Sequence, residues 1–125
     1  MGARVLLIDD EPDLLLALAV RLGATGFECE TATDGREGLE KCMRWHPDVV
    51  VTDLLMPQMN GYELCRQLKA QPGTATIPVV VLTALRERSL DNRLGALGAA
   101  RMLRKPFDAQ ELITTIHDVL GSRTT

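Results

Sequence analysis

Five short apolar runs alternate with segments whose apolar residues recur every three or four positions, and that alternation leaves this chain very few folds. Arg4–Ile8 is a β-rich run that stops at Asp9-Asp10. Pro12 pre-sets the first turn of a helix with Leu15, Leu18, Ala19 and Leu22 on one stripe, ended by Gly23 or Gly26. Phe27, Cys29 and Thr31 alternate with Glu28 and Glu30, the pattern of a half-exposed strand. Asp34-Gly35 turns the chain into a second helical stripe of Leu39, Cys42 and Met43, closed before Pro47. Val49-Val50-Val51-Thr52 lies between Asp48 and Asp53, a continuous run suited to a strand buried on both faces. After the loop from Leu54 to Gly61, residues Glu63 to Gln71 carry Leu64 and Leu68 as a third helix. Ile77 to Leu82 is a second buried strand ending at Thr83-Ala84, and Leu90, Leu94 and Leu97 mark a fourth helix. Arg101–Arg104 is a short fifth strand closed by Lys105-Pro106. Asp108, with Glu111 three residues later, caps a last helix that buries Leu112, Ile113, Ile116 and Leu120 and ends at Gly121.

Five β-α units in strict order demand a parallel sheet with helices on both faces, and right-handed crossovers prune the topologies further. The expected architecture is a flavodoxin-like doubly wound (βα)5 fold with strand order 2-1-3-4-5. A length of 125 residues suits one domain, expected over 1–125 with a core from about 4 to 120 and a frayed tail or linker start at 122–125. No apolar stretch reaches the ~18–20 residues of a membrane span, and the start runs at once into the first strand with no leader-like segment. Cys29, Cys42 and Cys65 fit no zinc or redox spacing, and Cys29 and Cys42 read as reduced core fillers. A cytoplasmic protein is therefore expected. The net charge of -3 and only four aromatic residues argue against direct binding of nucleic acid.

Ligands of open α/β sheets bind beyond the carboxyl ends of the strands, where the strand order switches. The expected order brings Asp9 and Asp10 of strand one, Asp53 of strand three, Thr83 of strand four and Lys105 of strand five to that edge. Taken singly, each is ordinary: a capping acid, a strand-end hydroxyl, a solvated lysine. Together they place three carboxylates where mutual repulsion calls for a cation, and an all-oxygen set favours Mg²⁺ or Mn²⁺. An ammonium and a hydroxyl beside them suit a phosphoryl group.

Ile8-Asp9-Asp10-Glu11, Asp53-Leu54-Leu55-Met56-Pro57 with Gly61, Thr83-Ala84 and Lys105-Pro106-Phe107 resemble the receiver domain of two-component response regulators. The resemblance implies that Asp53 accepts a phosphoryl group from a histidine kinase or histidine phosphotransfer domain. It implies that Asp10 ligates Mg²⁺ directly and Asp9 through water. The backbone carbonyl of Leu55 is the third metal contact it implies. It makes Lys105 the phosphate-pairing lysine, Thr83 the switch hydroxyl, and Lys105-Pro106 a cis peptide. Such a domain catalyses only its own phosphorylation and dephosphorylation. Its output passes through the fourth helix, fifth strand and fifth helix to a downstream protein or output domain.

Two positions depart from the pattern. Met102 stands where the family usually has Tyr or Phe, which implies weaker switch coupling, since a thioether has no ring to rotate as a unit. Leu55 and Leu85 flank the expected path of attacking water and offer it no hydrogen bond, which implies slow self-dephosphorylation. Residues 86–105 hold six basic and two acidic residues, a net +4, while eight basic and fifteen acidic residues give the rest -7. A basic face of this kind can recruit an acidic partner, or simply be solvated. The alternative to a phosphorylated switch is a receiver-like interaction module that works without phosphorylation. An aspartyl phosphatase fits less well, because Leu55 stands where a second Asp is usual. A flavin carrier is disfavoured by the acids at 9–11, which would repel its phosphate. The sequence leaves the oligomeric state open.

Overall fold

The apolar runs form strands and the periodic segments form helices in a computed structural model that describes residues 2–54, 56, 59–84, 96 and 98–123. The elements are β1 (Arg4–Ile8), α1 (Pro12–Ala24), β2 (Glu28–Ala32), α2 (Gly35–Trp45), β3 (Val49–Asp53), α3 (Gly61–Ala70), β4 (Val79–Thr83), β5 (Arg101–Arg104) and α4 (Ala109–Arg123). The fourth helix expected around Leu90, Leu94 and Leu97 lies outside the described residues, so α4 is the last helix of the chain. Every strand pair is parallel and the order is β2-β1-β3-β4-β5, as the alternation requires.

Alternation along each strand feeds two cores. Val5, Leu7, Val49, Val51, Val80 and Leu82 point to one face, under Leu15, Leu18 and Leu22 of α1 and Leu112, Ile113 and Ile116 of α4. Leu6, Ile8, Val50, Val79 and Val81 point to the other, under Cys42 of α2 and Leu64, Cys65 and Leu68 of α3. Each fully buried leucine or isoleucine contributes about 1.5–3 kcal/mol over its exposed form. The central strands β3 and β4 are buried along almost their whole length, whereas the edge strands β2 and β5 are half-exposed.

Several boundaries differ from the expectation for local reasons. Gly26, at φ 106°, supplies the left-handed turn after α1, and Phe27 N–H returns to Leu22 O at 3.2 Å. Helix α2 buries Gly35, Gly38 and Cys42, not the expected Leu39-Cys42-Met43 line; Leu39 is half-buried and Met43 is exposed. A Cβ on Gly38 would collide with Ile8 Cδ1, and one on Gly35 with Met59, so the glycines set how closely α2 approaches the sheet and the β3–α3 loop. Helix α3 starts at Gly61, two residues early, because Asn60 caps it by accepting the Glu63 N–H at 2.9 Å. β4 starts at Val79, after Pro78. Asp108 caps α4 as expected, accepting the Glu111 N–H at 2.8 Å. That helix does not stop at Gly121 but continues to Arg123. Val119 is buried in place of Leu120, which is half-buried. Cys42 and Cys65 are buried, whereas Cys29, on edge strand β2, is only partly so. No described helix is long and apolar enough to cross a membrane.

Candidate functional site

Strand β1 hands the chain to Asp9, and β3 ends in Asp53 on the neighbouring strand, so the two carboxylates follow from the register Ile8↔Thr52. Asp10 comes next on the β1 side. One carboxylate oxygen from each of Asp9, Asp10 and Asp53 lies within 4.8 Å of the others. Asp9 is 2% exposed, Asp53 is half-buried and Asp10 is exposed. The backbone N–H of Glu11 donates to Asp9 Oδ1 at 3.0 Å and that of Leu54 to Asp53 Oδ1 at 2.9 Å, which orients both groups. Two carboxylates at this spacing repel by roughly 3 kcal/mol at an effective dielectric near 20.

Lys105, just beyond β5, reaches back across β4 to meet them. Its Nζ is 3.2 Å from Asp9 Oδ2 and 3.6 Å from Asp53 Oδ1. Its N–H donates to Thr83 O at 2.8 Å, which fixes its start against the end of β4, and the Lys105–Pro106 peptide is cis. Burial pushes the Asp53 pKa up, and Asp9 and Asp10 add to this; the Lys105 charge and the Leu54 N–H oppose it without cancelling it. Burial works against the Lys105 ammonium, but the attraction of Asp53, Asp9 and Glu11 leaves its pKa above the ordinary value. Among the described residues, one ammonium against three carboxylates leaves the cluster net negative.

The donor set fits a hard cation. All three side chains offer oxygen and none offers nitrogen or sulfur, which suits Mg²⁺ or Mn²⁺. Oxygens within 4.8 Å of one another are close enough to share one such ion, directly or through its water shell.

The other expected residues divide. Thr83 closes β4 and is 1% exposed. Met102 lies opposite Val81 on β5, half-buried against the core under α2 and α3, and alternation puts it on the Thr83 face of the sheet. The Leu55 carbonyl and the Leu85 side chain lie outside the described residues. Of the basic residues at 86–105, Arg86, Arg88 and Arg93 also lie outside them, while Arg101 is exposed and Arg104 half-buried. The sequence places Gly61 at the end of a loop and in the receiver-like motif, without a contact of its own. Its N–H donates to Leu54 O at 2.7 Å, and a Cβ there would sit 3.0 Å from both Asp53 O and Leu54 Cα. Glycine at this position lets α3 begin directly against the backbone of Asp53. The signal available was a glycine at the first turn of a helix, where it has no intrinsic advantage.

Residues 5–117 match the family model described as the response regulator receiver domain. The sensory transduction protein RegX3 of Mycobacterium tuberculosis is 39% identical over 117 residues, 93% of this chain and 50% of that protein. The DNA-binding dual master transcriptional regulator RpaA of Synechocystis is 32% identical over 119 residues, 94% of this chain and 48% of that one. The chain spans about half the length of these curated relatives. Among solved structures, the Vibrio cholerae chemotaxis protein CheY4 superposes with a TM-score of 0.90 at 33% identity, covering 95% of this chain and 99% of that one.

Proposed function

The chain belongs to the response regulator receiver domain family, whose members act as signalling switches and not as metabolic enzymes, and on that premise we propose that Asp53 is its phosphoacceptor. The donor in this reading is the phosphohistidine of a histidine kinase or a histidine phosphotransfer domain, in a cytoplasmic two-component system. The observation that carries it is the meeting of Asp9, Asp10 and Asp53 within 4.8 Å, with Lys105 Nζ 3.6 Å from Asp53.

Phosphoryl transfer depends chiefly on positioning and charge neutralisation. Partial burial makes the Asp53 carboxylate more basic than a solvated one, and hence a better nucleophile toward phosphorus. The Leu54 N–H holds that carboxylate in place. Lys105 follows the charge from the donor phosphoryl oxygens to the acyl phosphate on Asp53. When bound by Asp9, Asp10, Asp53 and the Leu55 carbonyl, Mg²⁺ supplies the remaining positive charge at the phosphoryl oxygens. Thr83, at the end of the neighbouring strand, then bonds a phosphoryl oxygen and carries the change toward β5. Met102 follows that movement less tightly than an aromatic ring. A beryllofluoride-bound structure in which Met102 turns fully inward with Thr83 would contradict the weaker coupling.

Output passes through 86–105 and α4 to a downstream protein or output domain. RpaA is DNA-binding by name. For this chain the net charge of -3 supports a protein partner over direct contact with nucleic acid. The test is incubation with acetyl phosphate and Mg²⁺ followed by intact mass. A single phosphoryl adduct, absent in Asp53→Asn, is expected. Failure of every donor, phosphohistidine included, would favour a receiver-like interaction module.

A further inference from the structure

Helix α1 is apolar on both sides. Its inward face carries Leu15, Leu18 and Leu22 into the core. Its outward face carries Leu16 and Val20, 65% and 63% exposed and one helical turn apart, with exposed Ala17 and Ala24 beside them. The outward faces of the longer helices α2 and α4 differ. On α2, Arg36, Glu40 and Arg44 surround a single exposed Met43. On α4 the exposed residues from 110 to 118 are Gln110, Glu111, Thr114, His117 and Asp118, all polar. A surface helix keeps its apolar residues to the core side, and one that is apolar all round is normally covered.

The charges on α1 indicate what covers it. Asp13 lies in the first turn and Arg21 in the last, both exposed. Among the described residues neither side chain has an ionic partner. They stand about 12 Å apart along the axis, with Ala17 midway. A face with an acid at one end, a base at the other and a small residue between is complementary to itself when turned end for end.

We propose that this face is a self-association surface, on which two copies of the chain pair through antiparallel α1 helices about a two-fold axis at Ala17. Asp13 of each copy then lies opposite Arg21 of the other, and Leu16 and Val20 of both copies pack into one apolar strip. The Ala17 methyl group lets the helix axes approach to about 8–10 Å. Symmetry makes every contact twice, so two ion pairs flank the strip. One helix pair covers less than the roughly 1,200 Å² at which standard interfaces begin, so the dimer is weak and reversible, with a Kd on the order of 10–100 µM. Helix α1 packs over β1 and β2, across the sheet from β5. Pairing therefore leaves the β5 edge of each copy open, and the dimer presents two such edges to a partner.

Sedimentation equilibrium of the full chain, from about 5 to 500 µM, reads the dimer directly. The weight-average mass is expected to climb from the monomer toward twice that value. Leu16→Lys combined with Val20→Lys should hold it at the monomer, whereas Met43→Lys, on the exposed face of α2, should leave the dimer unchanged. Asp13→Lys alone and Arg21→Glu alone each set like charges opposite one another twice, and each is expected to raise Kd about tenfold. The double charge variant restores opposite signs and should return Kd to within about threefold of the parent. That recovery separates pairing from helix stability, because both changes oppose the α1 dipole and the double variant weakens the isolated helix most. Circular dichroism confirms that every variant is folded. A parent that stays monomeric at every concentration overturns the proposal and leaves the stripe to a different protein. So does a dimer that survives the two lysine substitutions at Leu16 and Val20, or one that the double charge variant fails to restore. None of these outcomes touches the reading of Asp53 as phosphoacceptor, which intact mass tests separately.

Discussion

At the carboxyl ends of the strands three carboxylates face one ammonium, whereas at the amino ends of the same strands unlike groups are matched. There the Arg4 N–H donates to Asp48 Oδ2 at 2.8 Å, and Arg4 Nη1 donates to Trp45 O at 2.7 Å. Arg4 Nε is 3.7 Å from Glu28, and the guanidinium lies 5.5 Å over the Trp45 ring. The two ends are separated by roughly 13 Å along β1. One end is arranged so that its groups satisfy each other, the other so that they need something from outside. A sequence under selection for stability alone would not keep Asp9, Asp10 and Asp53 together. The compensation lies in the two cores and at the amino end of the sheet.

The largest effect expected at the carboxyl end comes from removing Lys105, the one cation among the described residues there. Lys105→Met leaves Asp9, Asp10 and Asp53 with no positive side chain in contact among the described residues. By comparison with lost oxyanion-stabilising donors, phosphorylation by acetyl phosphate should slow by about a hundredfold or more. Stopped-time intact mass measures this directly. A rate within about twofold of the parent would show that Lys105 only relieves repulsion in the resting protein and takes no part in transfer.

Stability changes of opposite sign at the two ends are the next effect. In metal-free buffer Asp53→Asn keeps the Leu54 N–H acceptor and removes a charge whose burial, with the repulsion of Asp9 and Asp10, outweighs the attraction of Lys105. It should stabilise the fold by about 1 kcal/mol, a rise of roughly 4 °C in Tm. Asp48→Ala at the other end removes the acceptor of the Arg4 N–H and should cost about 1 kcal/mol. The pH dependence has a definite sign. The native pKa of Asp53 lies above its unfolded value, so the folded state takes up the proton first. The cost of its charge is full above the native pKa and disappears as pH falls to the unfolded one. The Tm advantage of Asp53→Asn should therefore shrink on acidification toward about pH 4. An advantage that grows instead would contradict the raised pKa.

The carboxyl end was legible in the sequence because of how a parallel sheet is built. Val49–Val51 and Val79–Leu82 are apolar without interruption, so the first polar residue after each run, Asp53 or Thr83, falls at the strand end with little freedom. The same logic places Asp9 after Leu6-Leu7-Ile8. What escaped was set by close approach and not by apolar spacing. Gly35 and Gly38 form the buried line of α2, and a search for apolar side chains passes over residues that have none. Gly61 was invisible as a contact for the same reason, although it lies against the backbone of Asp53. Gly121 reads as a helix stop in the sequence, but it is exposed on α4, where glycine costs only about 1 kcal/mol relative to alanine and the helix continues. The charges at the amino end gave no pattern either. Arg4, Trp45 and Asp48 meet only once the Val5↔Val49 register brings the starts of β1 and β3 side by side.

The smallest effect expected is a silence, and it tests whether the two ends are independent. Trp45 is the single tryptophan of the chain and ends α2, packed under Arg4 and half-buried against the core beneath α2 and α3. Its emission should shift strongly on unfolding, because the ring leaves both the core and the guanidinium. Adding Mg²⁺, or phosphorylating Asp53, changes charge roughly 13 Å or more away, beyond a Debye length at physiological salt. Trp45 emission should then stay within a few per cent of its starting intensity while intact mass reports full modification. A large change would mean that α2 moves as a body against β1. The tight seat of Gly38 on Ile8, one residue before Asp9, is the contact through which such a movement would travel. Gly38→Ala, which displaces that seat, would then alter the Trp45 response, whereas Arg4→Met would alter only its baseline.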